Sequence, residues 1–261
     1  MIVQCNKGMA MDLETGWTLL LFVAVGFGAQ IIDGALGMAY GLVSTSVLLA
    51  LGVPPAQASA SVHAAEMVTT GISGGAHAWF GNVDRRLFLS LVVPGCLGGI
   101  AGALLASRMD PGLLKPLVLA YLVLMGLFVL WRGWRQRVGT RSARFVPGIG
   151  AGAGFLDAIG GGGWGPMATS TLLAQGTPPR QTVGSVNAAE FFVTTAITVT
   201  FISGLGFRFG MVTLGLLLGG GLAAPLAAWV VRHVPQRGLL LGVGVLILTI
   251  AGVQILRLPG G

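Results

Sequence analysis

Residues 28–70 recur as residues 152–194 at a constant offset of 124, with 20 of the 43 aligned positions identical and no gap. The chain is therefore an internal duplication, and each element of the first copy should find an equivalent in the second. The shared positions include Asp33/Asp157, Gly37/Gly161, Gly41/Gly165, Thr45/Thr169, Ser46/Ser170, Gln57/Gln181, Ser61/Ser185 and Glu66/Glu190, with the prolines Pro54-Pro55 and Pro178-Pro179. An offset this long exceeds the roughly 20 to 50 residues of solenoids and propellers, so each copy is half of a molecule. Two halves facing one another across a central site is a common plan among secondary transporters.

Composition sets the solvent. The 261 residues are 54% hydrophobic and 9% charged, with mean hydropathy +0.86, against about 25% charged in an ordinary soluble domain. This is the composition of a polytopic membrane protein. The net charge of +7 does not call for a nucleic acid, because five of the fifteen basic residues are Arg132, Arg135, Arg137, Arg141 and Arg144, a stretch flanked by apolar segments. Such a run reads as a cytoplasmic loop that obeys the positive-inside rule. Cys5 and Cys96 have neither metal nor redox spacing. The first fifteen residues lack the charged-then-apolar order of a cleavable signal, so the first apolar segment is expected to direct insertion.

Apolar segments span 17–33, 40–52, 58–80, 87–107 and 113–131, and the series restarts as 145–157, 164–176, 182–203, 210–231 and 239–256. A bilayer core needs about 20 helical residues. At 13 residues, segments 145–157 and 164–176 each reach only about 20 Å. They are joined by the glycine-rich 158–163, where a helix is hard to sustain. The expected fold is an all-α polytopic membrane protein of two homologous halves, each a re-entrant or broken helical hairpin plus three transmembrane helices. The boundaries are an N-terminal segment 1–16, a first repeat 17–132, a basic cytoplasmic loop 133–144 and a second repeat 145–261. A hairpin plus three spans makes an odd number of crossings, which inverts the second half. If 17–33 spans the membrane fully, the repeats are parallel instead. Both traces place ten basic residues inside and five outside, so charge does not decide, and segment length favours inversion. On the fourth segment, Gly95/Gly99 and Gly98/Gly102 are small-residue steps suited to close helix packing.

The glycine breaks are the leading candidate sites. Helices restarting after Gly37 and Gly161 would aim amide groups and positive dipole ends inward, and such ends bind anions. Met38 and Gly162 adjoin the breaks. Thr45, Ser46, Thr169 and Ser170 lie about two turns on and can add hydroxyl donors, unless they bond back to their own helix carbonyls. In the third segment of each half, Ser61, His63 and Glu66 match Ser185, Asn187 and Glu190. An ionisable group within a span is costly and is a functional hypothesis by default. Glu66 and Glu190 are thus candidate proton carriers, the plainer alternatives being interfacial caps or structural acceptors. Asp33 and Asp157 immediately precede the breaks, where a carboxylate can hold a proton or cation or simply bond the local turn. The substrate set is therefore Gly37, Met38, Thr45, Ser46, Ser61, His63, Gly161, Gly162, Thr169, Ser170, Ser185 and Asn187, and the ion-coupling set is Glu66, Glu190, Asp33 and Asp157. No metal site is expected, since Asn187 replaces the histidine in copy two. The absence of a Walker loop, GxSxG elbow or HExxH motif points to no cofactor, no ATP-driven cycle and no enzyme.

The duplication, the turn Ile159-Gly160-Gly161-Gly162-Gly163, the corners Gly52-Val53-Pro54-Pro55 and Gly176-Thr177-Pro178-Pro179, and Gly81-Asn82-Val83-Asp84-Arg85-Arg86-Leu87 together resemble the sulfite exporter TauE/SafE family of membrane permeases. The resemblance covers residues 17 to 257. It implies a multi-pass protein of the inner membrane that moves sulfite, an organosulfonate or a related small anion outward, driven by an ion gradient. The expected partners are that anion, the lipid bilayer and a coupling proton; nucleic acid is excluded and a homo-oligomer is compatible. An anion channel using the same turns, or a membrane-embedded enzyme using His63 and Glu66, are the alternative functions.

Overall fold

The computed structural model describes residues 2–36, 38–134, 144–206, 210–233 and 236–257. These are helical almost throughout, and among them four helices are long and apolar enough to cross a membrane. The helices are α1 (Ile2–Leu36), α2 (Tyr40–Ala50), α3 (Pro55–Trp79), α4 (Arg85–Arg108), α5 (Pro111–Trp134), α6 (Val146–Gly160), α7 (Ser170–Gln175), α8 (Pro179–Leu205), α9 (Met211–His233) and α10 (Gln236–Leu256). One turn of π-helix, Gly165–Thr169, leads into α7. The offset of 124 carries residues 22–36 of α1 onto α6, and α2 to α5 onto the π-turn with α7, α8, α9 and α10.

The Gly-X-Pro-Pro corners show how sequence sets these boundaries. Gly52 and Gly176 adopt left-handed backbone, at φ 86° and 99°, where glycine carries no Cβ penalty. The amides that follow, Val53 and Thr177, donate back to Leu48 and Leu172 at 3.0 and 3.1 Å. Pro54 and Pro178 are then N-caps, and Pro55 and Pro179 are the first helical residues of α3 and α8, where a missing amide costs nothing.

Packing runs between the copies rather than within them. The extensive contacts join α1 to α9, α4 to α6, α3 to α8, α5 to α10 and α4 to α8. Glycine lets the backbones touch: a Cβ at Gly98 would lie 2.0 Å from the Ala151 carbonyl and one at Gly102 2.5 Å from that of Phe155. On the other face of α4, Gly95 and Gly99 receive Trp164 and Ile197. This is small-residue helix packing of the kind lipid requires, since apolar side chains gain little from leaving lipid for protein. Gly71 of α3 lies against Phe191 and Gly74 against Ala188; Gly126 of α5 lies against Leu248 and Gly133 against Leu241. In both pairs, positions rise on one helix as they fall on its partner, so α3 runs antiparallel to α8 and α5 to α10.

Two details differ from the sequence expectation. The incoming helix of copy one is not short: α1 has 35 residues, about 52 Å, and its window Gly16–Asp33 is long and apolar enough to span. Residues preceding the repeated unit extend it without interruption, whereas α6 starts at the basic loop and has 15 residues. The second difference is α3, which fails the spanning criterion despite its 25 residues. It carries serines, threonines, His63 and Glu66, and it is buried in protein over its first half.

Candidate functional site

The two helix breaks meet inside the protein. A Cβ on Gly41, at the start of α2, would fall 2.5 Å from the Gly162 Cα, and one on Gly162 would fall 2.3 Å from the Gly41 carbonyl carbon. Thr45 donates its hydroxyl to the Gly161 carbonyl. Across the same contact Ser170 reaches the Met38 sulfur at 3.8 Å. Gly37 lies outside the described residues.

The restarting amides are not free, as the sequence had suggested; the protein's own carboxylates accept from them. Tyr40 N–H donates to Asp33 Oδ1 at 3.1 Å and its equivalent, Trp164 N–H, to Asp157 Oδ1 at 3.0 Å. The Glu66 carboxyl lies at the same restart, its Oε1 3.1 Å from where a Cβ on Gly41 would stand. The physical reason is that a helix start buried without an acceptor leaves costly orphan donors. Asp33 and Asp157, placed before the breaks, cap the helices after them.

Four carboxyls thereby converge. Glu66 interacts electrostatically with Asp157, Glu190 and Asp33, and Glu190 with Asp33 and Asp157. Glu66 and Asp157 are buried, and Glu190 is half-buried. Among the described residues no group of acidic, histidine and cysteine side chains is arranged to hold a metal ion. His63 is the one buried base among them. Its Nε2 lies 3.0 Å from Asp157 Oδ2, and its Nδ1 lies 2.7 Å from the Ser59 carbonyl.

The remaining predicted residues divide. Ser46 bonds back to Leu42 O at 2.7 Å. Ser185 is engaged with the backbone of Asp84, accepting from its N–H at 2.9 Å. Asn187 donates to Val183 O at 2.9 Å and accepts from Ser73 at 3.2 Å, so it does not repeat the His63 contact with aspartate. Among the described residues the buried hydroxyl of Thr169 has no partner, nor has that of Ser44 beside Thr45. Ser61 lines a cavity of about 410 Å³ with Val53, Gln57 and Thr213. A second cavity, of about 370 Å³, is lined by Asp84, Arg86, Ser90, Thr177 and Gln181. Val53 and Gln57 are the equivalents of Thr177 and Gln181, so the two cavities occupy corresponding corners of the two copies.

Sequence reading missed the aromatic props. Tyr121 of α5 donates to Gly162 O at 2.7 Å, Tyr40 OH to Leu216 O at 3.0 Å and Trp164 Nε1 to Val186 O at 3.2 Å. The available signal was that the chain has only two tyrosines and sets both within apolar segments. Ser59 was missed as well; it donates to Ala158 O at 2.6 Å and holds the end of α6 against α3.

No solved structure matches the chain. It is 43% identical over 236 residues to the "Probable membrane transporter protein YtnM" of Bacillus subtilis (strain 168), spanning 86% of this chain and 79% of that protein. The family model described as "Sulfite exporter TauE/SafE" matches residues 22–255, beginning where the repeated part of α1 begins. With that match running from the first repeated helix to the end of α10, the chain belongs to the TauE/SafE family.

Proposed function

We propose that the protein is a secondary transporter that carries a small sulfur-containing anion, sulfite or an organosulfonate, across the cytoplasmic membrane by alternating access coupled to a proton gradient. The observation that carries this reading is the contact of Gly41 with Gly161 and Gly162 in the interior. Interrupted helices at membrane depth persist only where protein or a wet cavity satisfies their backbone. In this reading the copies are inverted halves with the 132–144 loop in the cytoplasm. The antiparallel meeting of α3 with α8 and of α5 with α10 supports the inversion, which sets the two equivalent cavities on opposite sides of the membrane. The family's description as a sulfite exporter supports sulfite as the cargo.

The chemistry suits an oxyanion. The unpartnered hydroxyls of Ser44 and Thr169 are donors beside the breaks, and no buried arginine competes for the charge among the described residues. Glu66, with its Oε1 beside Gly41, competes for the amides of this restart as an internal anion. A neutral carboxyl is a weaker acceptor than a carboxylate, so a proton on Glu66 lowers that competition in favour of the substrate.

Purified protein in proteoliposomes is expected to move sulfite saturably, with faster entry when the lumen is preloaded with sulfite and a dependence on an imposed pH gradient. Flux that rises linearly with concentration and ignores preloading would mean a channel. Absence of sulfite flux ends the reading.

A further inference from the structure

We propose that His63 and Asp157 form a one-proton tie between the two copies, and that loss of this proton releases α3 from the end of α6 during conformational exchange. The inference rests on the transporter reading above and adds a residue pair and a step to it.

Hydrogen-bond accounting requires the proton. The Ser59 carbonyl has no hydrogen to give, so His63 Nδ1, at 2.7 Å from it, carries one. The Ser59 hydroxyl, 3.2 Å from the same nitrogen, gives its own hydrogen to Ala158 O and so faces Nδ1 as an acceptor. With Nδ1 protonated, the 3.0 Å contact between Nε2 and Asp157 Oδ2 contains a single further proton, carried either by the ring as imidazolium or by the carboxyl. Without it, a ring lone pair faces a carboxylate in a dry site, where repulsion is poorly screened. The residues are 0% and 2% exposed, so water cannot slip between them while the tie is closed.

The position of the tie gives it leverage. His63 sits on α3 of copy one, whereas Asp157 ends α6 of copy two and also holds the Trp164 amide through its other oxygen. Proton loss to water therefore acts on a contact between halves and on a helix restart together. The titratable groups that face it are Glu66 on α3, Glu190 on α8 and Tyr121 on α5, with Asp33 on α1 and Tyr40 on α2 next to Glu66. Copy two has no second tie, since Asn187 turns to Ser73 and Val183.

The test separates titration from structure. Asp157→Asn keeps an oxygen for the Trp164 amide and an NH2 for the ring nitrogen, and His63→Gln keeps a donor to the carboxylate, so both variants hold the shape without the exchangeable proton. Sulfite counterflow is measured with equal pH on both sides. Wild type is expected to show a maximal rate that rises toward alkaline pH, while both variants lose this pH dependence. In detergent without sulfite, thermal stability of the wild type should fall toward alkaline pH more steeply than that of either variant. Wild-type pH profiles of rate and stability in Asp157→Asn overturn the tie. If wild type carries no sulfite but the stability profiles still diverge, the transporter reading has failed and the tie has not.

Discussion

The two turns occupy equivalent places yet are built differently, and the difference shows what duplication fixed and what it left open. Both have an aspartate that caps the restarting helix, and both restart on an aromatic residue, Tyr40 or Trp164. In copy two the turn is held by Tyr121, which donates to Gly162 O. The position equivalent to Tyr121 is Val245, 55% exposed, so that position offers copy one no matching hydroxyl. Copy two restarts through a π-turn while copy one restarts directly as α-helix. Where Gly162 stands, copy one has Met38. Duplication therefore kept the caps, the corners and the glycines of the breaks, while the props and the restart geometry around the central contact diverged.

Making the turns alike should have the largest effect. Gly162 has φ 148° and lies against the backbone of Gly41 and Leu42, so even Gly162→Ala combines overpacking with a disfavoured backbone, costing on the order of 3 kcal/mol or more. Little monodisperse protein is expected on size exclusion, and less from Gly162→Met. Gly28 and Gly152, an equivalent pair, both face open space, and alanine at either should leave the thermal midpoint nearly unchanged. A well-folded Gly162→Ala would mean that the two breaks do not touch.

A smaller loss is expected from removing the prop. Tyr121→Phe leaves the ring packed against Gly160 and Gly163 but strips the Gly162 carbonyl of its donor, a penalty of about 1 to 3 kcal/mol for a buried group. A lowered thermal midpoint with intact membrane insertion is the expected outcome, and Val245→Ala at the equivalent site should do far less. Equal effects at the two positions would dissolve the contrast between the turns.

How much of this was legible beforehand follows the same division. The corners were readable because glycine and proline act locally, through φ, and because repetition marked them; repetition also marked Asp33 and Asp157 at the breaks, where a coupling role and a local turn bond both fitted. The length of α1 was harder to read, since residues before the repeat propagate a helix that its duplicate lacks. The occupation of the restarting amides was not readable: that Glu66 reaches Gly41, or that His63 passes over its own copy to meet Asp157, depends on how α3 packs against elements distant in sequence. Ser46 and Ser185 had donor chemistry that fitted a site, and the structure directs them to backbone neighbours instead.

The equivalent carboxylates give the subtlest comparison. Glu66 is buried with its Oε1 beside Gly41; Glu190 is half-buried. If Glu66 is the group that yields its place to substrate, Glu66→Gln keeps an acceptor beside Gly41 but fixes it in the uncharged form. Gradient-driven sulfite flux should then fall about tenfold, equivalent to roughly 1.4 kcal/mol, while membrane insertion stays normal. Glu190→Gln removes a charge that Glu66 senses without removing a competitor for the site, so its effect should have the same sign and be smaller. The order of the two is the informative result. A larger defect in Glu190→Gln would move the substrate to the copy-two side of the contact, where the unpartnered Thr169 hydroxyl lies.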